Sequence, residues 1–245
     1  MNVKITNTHG EKLDAVVEGA DGDLTVVMAH GLGTTKDENA RLFIDISDHF
    51  AKVARFVRFD FSGYGQSEGR EEDMDLNKMA DDLASVLTWV RKHFSGRVMI
   101  FAHSLGSLVV RVLAPDDVER IILTSINSPD SQAHVASTIQ RIQSRQGGVV
   151  NEHGITLYPR LDGTIQKIGS QHWKVLRSIN PLKLAEELSK KTDLIIIKGK
   201  QDNPEVAKPY QDIPTLTYLE IEGDHNFTSP ESRQQLLAVL SKYIK

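Results

Sequence analysis

Short runs that are apolar at every position constrain this chain more than any other feature. Val26-Val27-Met28-Ala29, Val98-Met99-Ile100-Phe101-Ala102, Ile121-Ile122-Leu123 and Leu194-Ile195-Ile196-Ile197 contain no polar alternate. A strand with one face in water alternates apolar and polar side chains, so these runs must be covered on both faces. A parallel sheet sandwiched between helices provides that cover. Helical spacing lies between and after the runs, at Leu76, Met79, Ala80, Leu83, Leu87 and Val90, and again at Leu236, Leu237, Leu240, Tyr243 and Ile244. The last helix has a start signal, with Ser229 as cap, Pro230 in the first turn and Glu231 at the positive end of the dipole. The expected fold is α/β, a doubly wound and mostly parallel sheet. Val3–Thr6 and Leu13–Glu18 alternate more and read as an antiparallel edge hairpin.

The rhythm fails between about Asn127 and Asn180, where no strong strand is evident and Gly147-Gly148, Tyr158-Pro159 and Asp162-Gly163 interrupt the pattern. This divides the chain into a core of residues 1–126 and 181–245 and a small cap insertion, 127–180, over the sheet's carboxyl edge. Within the cap, Arg141, Arg145, Arg160, Lys167, Lys174 and Arg177 outnumber Asp130, Glu152 and Asp162. Such a lid either steers anionic groups or is simply a solvated surface.

Several function classes are disfavoured. The formal net charge is −4 and no basic block stands out, so nucleic acid is not an expected partner. The chain has no cysteine, which removes disulfides, thiolate metal sites and a cysteine nucleophile. The segment Met1–Thr6 lacks the apolar core of a signal peptide, and no apolar run approaches the roughly 18 residues of a membrane span. A cytoplasmic protein is expected; the sequence leaves its oligomeric state open.

The chemistry centres on Ala102-His103-Ser104-Leu105-Gly106, between a strand run and the helical positions Leu108, Val109, Val112 and Leu113. A serine on so sharp a strand-to-helix turn is pushed out at the sheet's carboxyl edge, and the residues two before and two after must be small. Alone, such a serine reads equally well as a helix cap. A hydroxyl is a weak nucleophile and needs a base. His225 follows the run Leu216–Ile221 and so falls at the same edge, whereas His103 adjoins the serine, His30 belongs to another motif, and His134, His153 and His172 lie in the insertion. Asp202, after Leu194–Lys198, is placed to orient the base. Asp193 is at the wrong end of that strand, and Asp224 is badly placed to reach back to the ring. The order Ser104, Asp202, His225 is the one such a fold uses. His30-Gly31-Leu32-Gly33 lets backbone approach a ligand, and the N–H groups of Leu32 and Leu105 together would form an oxyanion hole.

These pieces, together with Asp60-Phe61-Ser62-Gly63-Tyr64-Gly65-Gln66-Ser67-Glu68-Gly69, resemble the α/β-hydrolase superfamily over nearly the whole chain except the cap. The stretch from His30 to Gly69 is most similar to small bacterial cinnamoyl (feruloyl) esterases and to the serine aminopeptidase and monoglyceride-lipase group. One departure is Ala102, which stands where the elbow motif has its first glycine. The resemblance implies that residues 60–69 shape the floor of the site without a catalytic part. It also implies an ester hydrolase acting on a small-molecule ester, with no metal and no cofactor. A peptidase or thioesterase on the same three residues, and a non-catalytic binding protein on the same scaffold, are the competing readings.

Overall fold

The computed structural model describes residues 1–202 and 207–245. Its main sheet has eight strands: β1 (Asn2–Thr6), β2 (Lys12–Gly19), β3 (Leu24–Ala29), β4 (Arg55–Phe59), β5 (Arg97–His103), β6 (Arg120–Thr124), β9 (Asp193–Gly199) and β10 (Thr217–Ile221). Their order is β1-β2-β4-β3-β5-β6-β9-β10. The first two strands form the expected antiparallel hairpin, and β2 is also antiparallel to β4. Every later pairing is parallel, so the carboxyl ends of β3, β4, β5, β6, β9 and β10 share one edge.

The all-apolar runs have the two-sided burial their composition demands. On β3, Val26 and Met28 belong to one core cluster and Val27 and Ala29 to the other. The first cluster is closed by Leu42, Phe43 and Ile46 of α1 (Leu42–Phe50) and by Leu236 and Leu240 of α8 (Pro230–Leu240). The second is closed by α2 (Leu76–His93), α3 (Leu105–Leu113) and α6 (Pro181–Ser189). Leu76, Met79, Leu83 and Val90 turn inward from α2, whose first turn is capped by the Asp75 carboxylate accepting from the N–H groups of Asn77 and Lys78. Ser229 caps α8 through the Ser232 N–H.

The segment 127–180 is more regular than its sequence pattern suggests. It holds α4 (Ser131–Gln143), α5 (Ser170–Ser178) and an antiparallel hairpin, β7 (Thr156–Pro159) with β8 (Ile165–Ile168), outside the main sheet. The hairpin corrects the expectation that no strand lies here. Its signal is inverted on β8, where Ile165 is exposed and Gln166 is buried. The polar side chain is turned inward because it is fully engaged: the Gln166 amide donates to the Tyr64 hydroxyl, and its Oε1 accepts from Arg160. The remaining helix, α7 (Ala207–Gln211), precedes β10.

Candidate active site

Ser104 stands between β5 and α3 with φ 52° and ψ −120°, a conformation that non-glycine residues adopt only under constraint. The constraint is local. The Ser104 N–H donates to Thr124 O at 3.0 Å, which keeps the residue in register with β6, while α3 begins immediately after it. Gly106 permits the turn, since a Cβ there would stand 2.2 Å from Ala29 O. Gly106→Ala should therefore destabilise the fold by about 1–3 kcal/mol, as overpacking usually does, and shift the elbow. Urea unfolding reads this directly, and wild-type stability in the variant would show that the turn is looser than it looks.

Three strand ends deliver the other groups. His225, in the loop after β10, lies with Nε2 3.1 Å from Ser104 Oγ. Its Nδ1 lies 3.1 and 3.0 Å from the two carboxylate oxygens of Asp202, which follows β9. A carboxylate accepts only, so Nδ1 carries the proton and Nε2 is free to accept from the serine hydroxyl. The two loops are stitched together by Gln201 N–H donating to Gly223 O at 3.0 Å and Lys200 N–H donating to Ile221 O at 2.9 Å. Gly199 allows that approach, because a Cβ there would meet Gly223 O at 2.2 Å. The buried Lys198 ammonium donates to the carbonyls of Gly199 and Asp202. From the end of β6, the Ser125 hydroxyl donates to His225 O at 2.6 Å. Ser125 thus holds the His225 backbone in place, and nothing in the sequence beyond its place after a strand pointed to it.

The glycine-rich loop after β3 passes beside the serine. A Cβ on Gly31 would lie 3.1 Å from Ser104 Cβ, a tight contact that glycine avoids. The loop is anchored by Gly31 N–H donating to Glu38 Oε2 at 2.6 Å and by His30. His30 Nε2 accepts from Phe61 N–H, which leaves Nδ1–H to donate to Gly31 O at 2.8 Å. Burial keeps this imidazole below its usual titration range. Among the described residues neither the Leu32 N–H nor the Leu105 N–H finds a protein acceptor. Leu32 O accepts from Arg160 Nη2 at 3.0 Å.

The other sequence candidates separate cleanly. Asp193 sits at the opposite edge of the sheet, paired with Arg120. The Asp224 carboxylate accepts from the N–H groups of Asn226 and Thr228 and shapes its own turn. His103 is buried, with Nε2 on Asn226 Oδ1 and Nδ1 on the Thr124 hydroxyl. Burial first, and then the neighbouring His225, push its pKa down to about 3. His153 is exposed and away from the site. Residues 60–69 do not line the pocket, contrary to expectation. Asp60 instead accepts from the Lys36 N–H, the Lys36 ammonium and the Gln66 N–H, and the loop braces His30 and Gln166 from behind.

The cavity above Ser104 is about 640 Å³, within the usual range for a small-molecule site. The segment 127–180 contributes His134, Arg141, Arg145, Tyr158, Arg160 and His172 to its wall. For His134 the sequence signal is helical register, which places it one turn from Thr138 on α4; His172 carries no such signal. Burial pushes the His172 pKa to about 4. For His103 and His172 the unfolded chain, titrating near 6.5, binds protons that the folded chain refuses. Stability is therefore complete above pH 6.5 and falls as pH drops toward 4, with a slope of about 1.4 kcal/mol per pH unit for each histidine. Guanidinium unfolding between pH 6.5 and 5 should show this, and His172→Gln should flatten the slope by one proton; an unchanged slope would contradict it. Among the described residues no group of three or more His, Asp or Glu side chains is arranged to hold a metal ion, and no helix is long and apolar enough to cross a membrane.

A mostly parallel sheet, an elbow serine and a base and carboxylate on later strand ends define a class of hydrolase folds. The chain belongs to the alpha/beta hydrolase fold family, whose model matches residues 25–213. No protein of curated function matches the sequence. Among solved structures it is similar to Est1E from Butyrivibrio proteoclasticus with ferulic acid bound, with a TM-score of 0.75 and 18% identity over 98% of this chain and 97% of that one. It is similar to the esterase domain of a Rhodothermus marinus protein, at TM-score 0.72 and 17% identity over 99% and 96% of the two chains. The Pyrococcus furiosus esterase Pf2001 is a further likeness, at 0.69 and 18% over 100% and 91%.

Proposed function

We propose that this protein is a serine hydrolase that cleaves small-molecule carboxylic esters through an acyl-enzyme intermediate. The observation that carries the proposal is the continuous hydrogen-bonded line from Ser104 Oγ through the His225 ring to the Asp202 carboxylate. In the proposed reaction Ser104 Oγ attacks the ester carbonyl carbon as its proton passes to His225 Nε2. Asp202 holds the ring and stabilises the imidazolium. The carbonyl oxygen, now an oxyanion, accepts from the free N–H groups of Leu32 and Leu105, each contributing about 3–4 kcal/mol to the transition state. Collapse expels the alcohol, which takes the proton from His225. A water activated by His225 then attacks the acyl-serine, releasing the acid and restoring Ser104.

The esterases among the structural neighbours agree with this reading. A purely binding role would leave the strained Ser104 backbone and a base held 3.1 Å from its hydroxyl without a purpose. The segment 127–180 serves as the cap, since α4 and the β7–β8 hairpin wall the cavity. The test is turnover of short-chain 4-nitrophenyl esters by the wild-type protein, with Ser104→Ala as the blank. Equal rates in the two proteins would end the proposal.

A further inference from the structure

The arginines of this chain divide sharply. Among the described residues every arginine has a carboxylate within ion-pairing distance except Arg111, Arg141, Arg145 and Arg160. Arg111 is buried and spends its donors on Ser107 O, Pro181 O and the Tyr210 hydroxyl. The other three all line the cavity that contains Ser104. Arg160 is committed to Leu32 O and Gln166, and its approach depends on Gly33, where a Cβ would stand 2.9 Å from the guanidinium carbon. The Arg145 guanidinium makes no hydrogen bond among the described residues and rests 5.5 Å from the centre of the Tyr158 ring, which Arg160 also overlies at 4.9 Å. Among the described residues the Arg141 guanidinium donates only to the Thr138 hydroxyl. Three guanidinium groups are thus gathered in one concavity, two of them on a single ring, and none of the three is ion-paired to a carboxylate among the described residues.

Three acids share the wall, but each is hydrogen-bonded elsewhere and leaves the donors of Arg141 and Arg145 unspent. Glu38 accepts from Gly31 and Asn39, Asp162 from Thr164, and Asp202 is engaged with His225. The charge of Arg141 is felt within the cavity wall, since after burial itself it is the main cause that holds the His134 pKa down at about 3. Like charges facing a cavity repel, and a planar fork of donors matches a carboxylate or a phosphate. Resting on the ester-hydrolase reading above, we propose that the substrate carries an anionic group, a carboxylate or phosphate, held by Arg141 and Arg145 while its ester carbonyl lies at Ser104.

The test compares mono-4-nitrophenyl glutarate with its methyl ester, a neutral near-isostere, through the ratio of their kcat/KM values. The wild-type protein is expected to favour the anionic ester. Arg141→Gln and Arg145→Gln should each lower the ratio about tenfold or more, as loss of a charge-assisted hydrogen bond does. Lys174→Gln removes the same charge from an exposed cap position outside the cavity and should leave the ratio at its wild-type value. A ratio unmoved by the arginine changes, or moved as far by Lys174→Gln, overturns the proposal. Binding of phenylacetate and phenyl phosphate to the unaltered protein, followed by calorimetry, needs no turnover and separates carboxylate from phosphate. Saturable binding of either that is lost in Arg145→Gln supports the site even if no ester is cleaved, and binding of neither overturns it. Failure of the wild type to cleave either ester, by contrast, counts against the hydrolase reading alone.

Discussion

Replacing Ser104 by alanine is expected to lower kcat toward 4-nitrophenyl esters by about 10⁶-fold, leaving only the residual acceleration that binding and oxyanion stabilisation give. The size of the effect follows from the geometry. Ser104 Oγ is the one hydroxyl on the His225 Nε2 nitrogen among the described residues, at 3.1 Å. The cavity also presents Ser125, Ser128 and Ser137, but the Ser125 hydroxyl is spent on His225 O and Ser137 on His134 O. KM should change little, because alanine keeps the wall of the cavity intact. A loss of only a few fold would mean that another group attacks the ester. The substitution should not unfold the protein, since the backbone bond of residue 104 to Thr124 is untouched.

Asp202→Asn is the second large expectation, at about 10⁴-fold in kcat. The amide keeps the shape of the carboxylate but can present its NH₂ group to His225. The imidazole is then free to adopt the tautomer with the proton on Nε2, which cannot accept from Ser104. An imidazolium formed during attack also loses its counter-charge. The loop itself should survive, because its backbone is held by Asp202 N–H donating to Gly199 O and by Lys198 donating to Asp202 O. Steady-state kinetics with circular dichroism as a folding control read the effect. A loss below tenfold would show that His225 is oriented by something else.

The sequence made most of this arrangement legible for a physical reason. Two-sided burial forces an unbroken apolar run, so β3, β5, β6 and β9 were visible as runs, and a parallel sheet places whatever follows them at one edge. That Ser104, Asp202 and His225 meet at this edge was then legible from residue type, place after a strand and chain order. What stayed hidden depends on contacts made across the fold. The β7–β8 hairpin escaped because Gln166 takes the buried place and Ile165 the exposed one, the reverse of the usual alternation. Residues 60–69 were expected to shape the site floor, yet Asp60 is drawn away from it by Lys36 and Gln66. Ser125 and Arg160 act through a carbonyl each, His225 O and Leu32 O, and no local pattern marks a side chain that holds a distant backbone atom. His134 and His172 look like ordinary helix residues until the folded chain brings them to the cavity that Ser104 lines.

The most direct measurement is mass spectrometry of the protein after reaction with a fluorophosphonate probe. The hydrogen-bonded line from Ser104 to Asp202 predicts a single stoichiometric adduct on the tryptic peptide 98–111, assigned by fragmentation to Ser104 rather than Ser107, and absent from Ser104→Ala. No adduct, or an adduct on another serine of the cavity, would contradict the account.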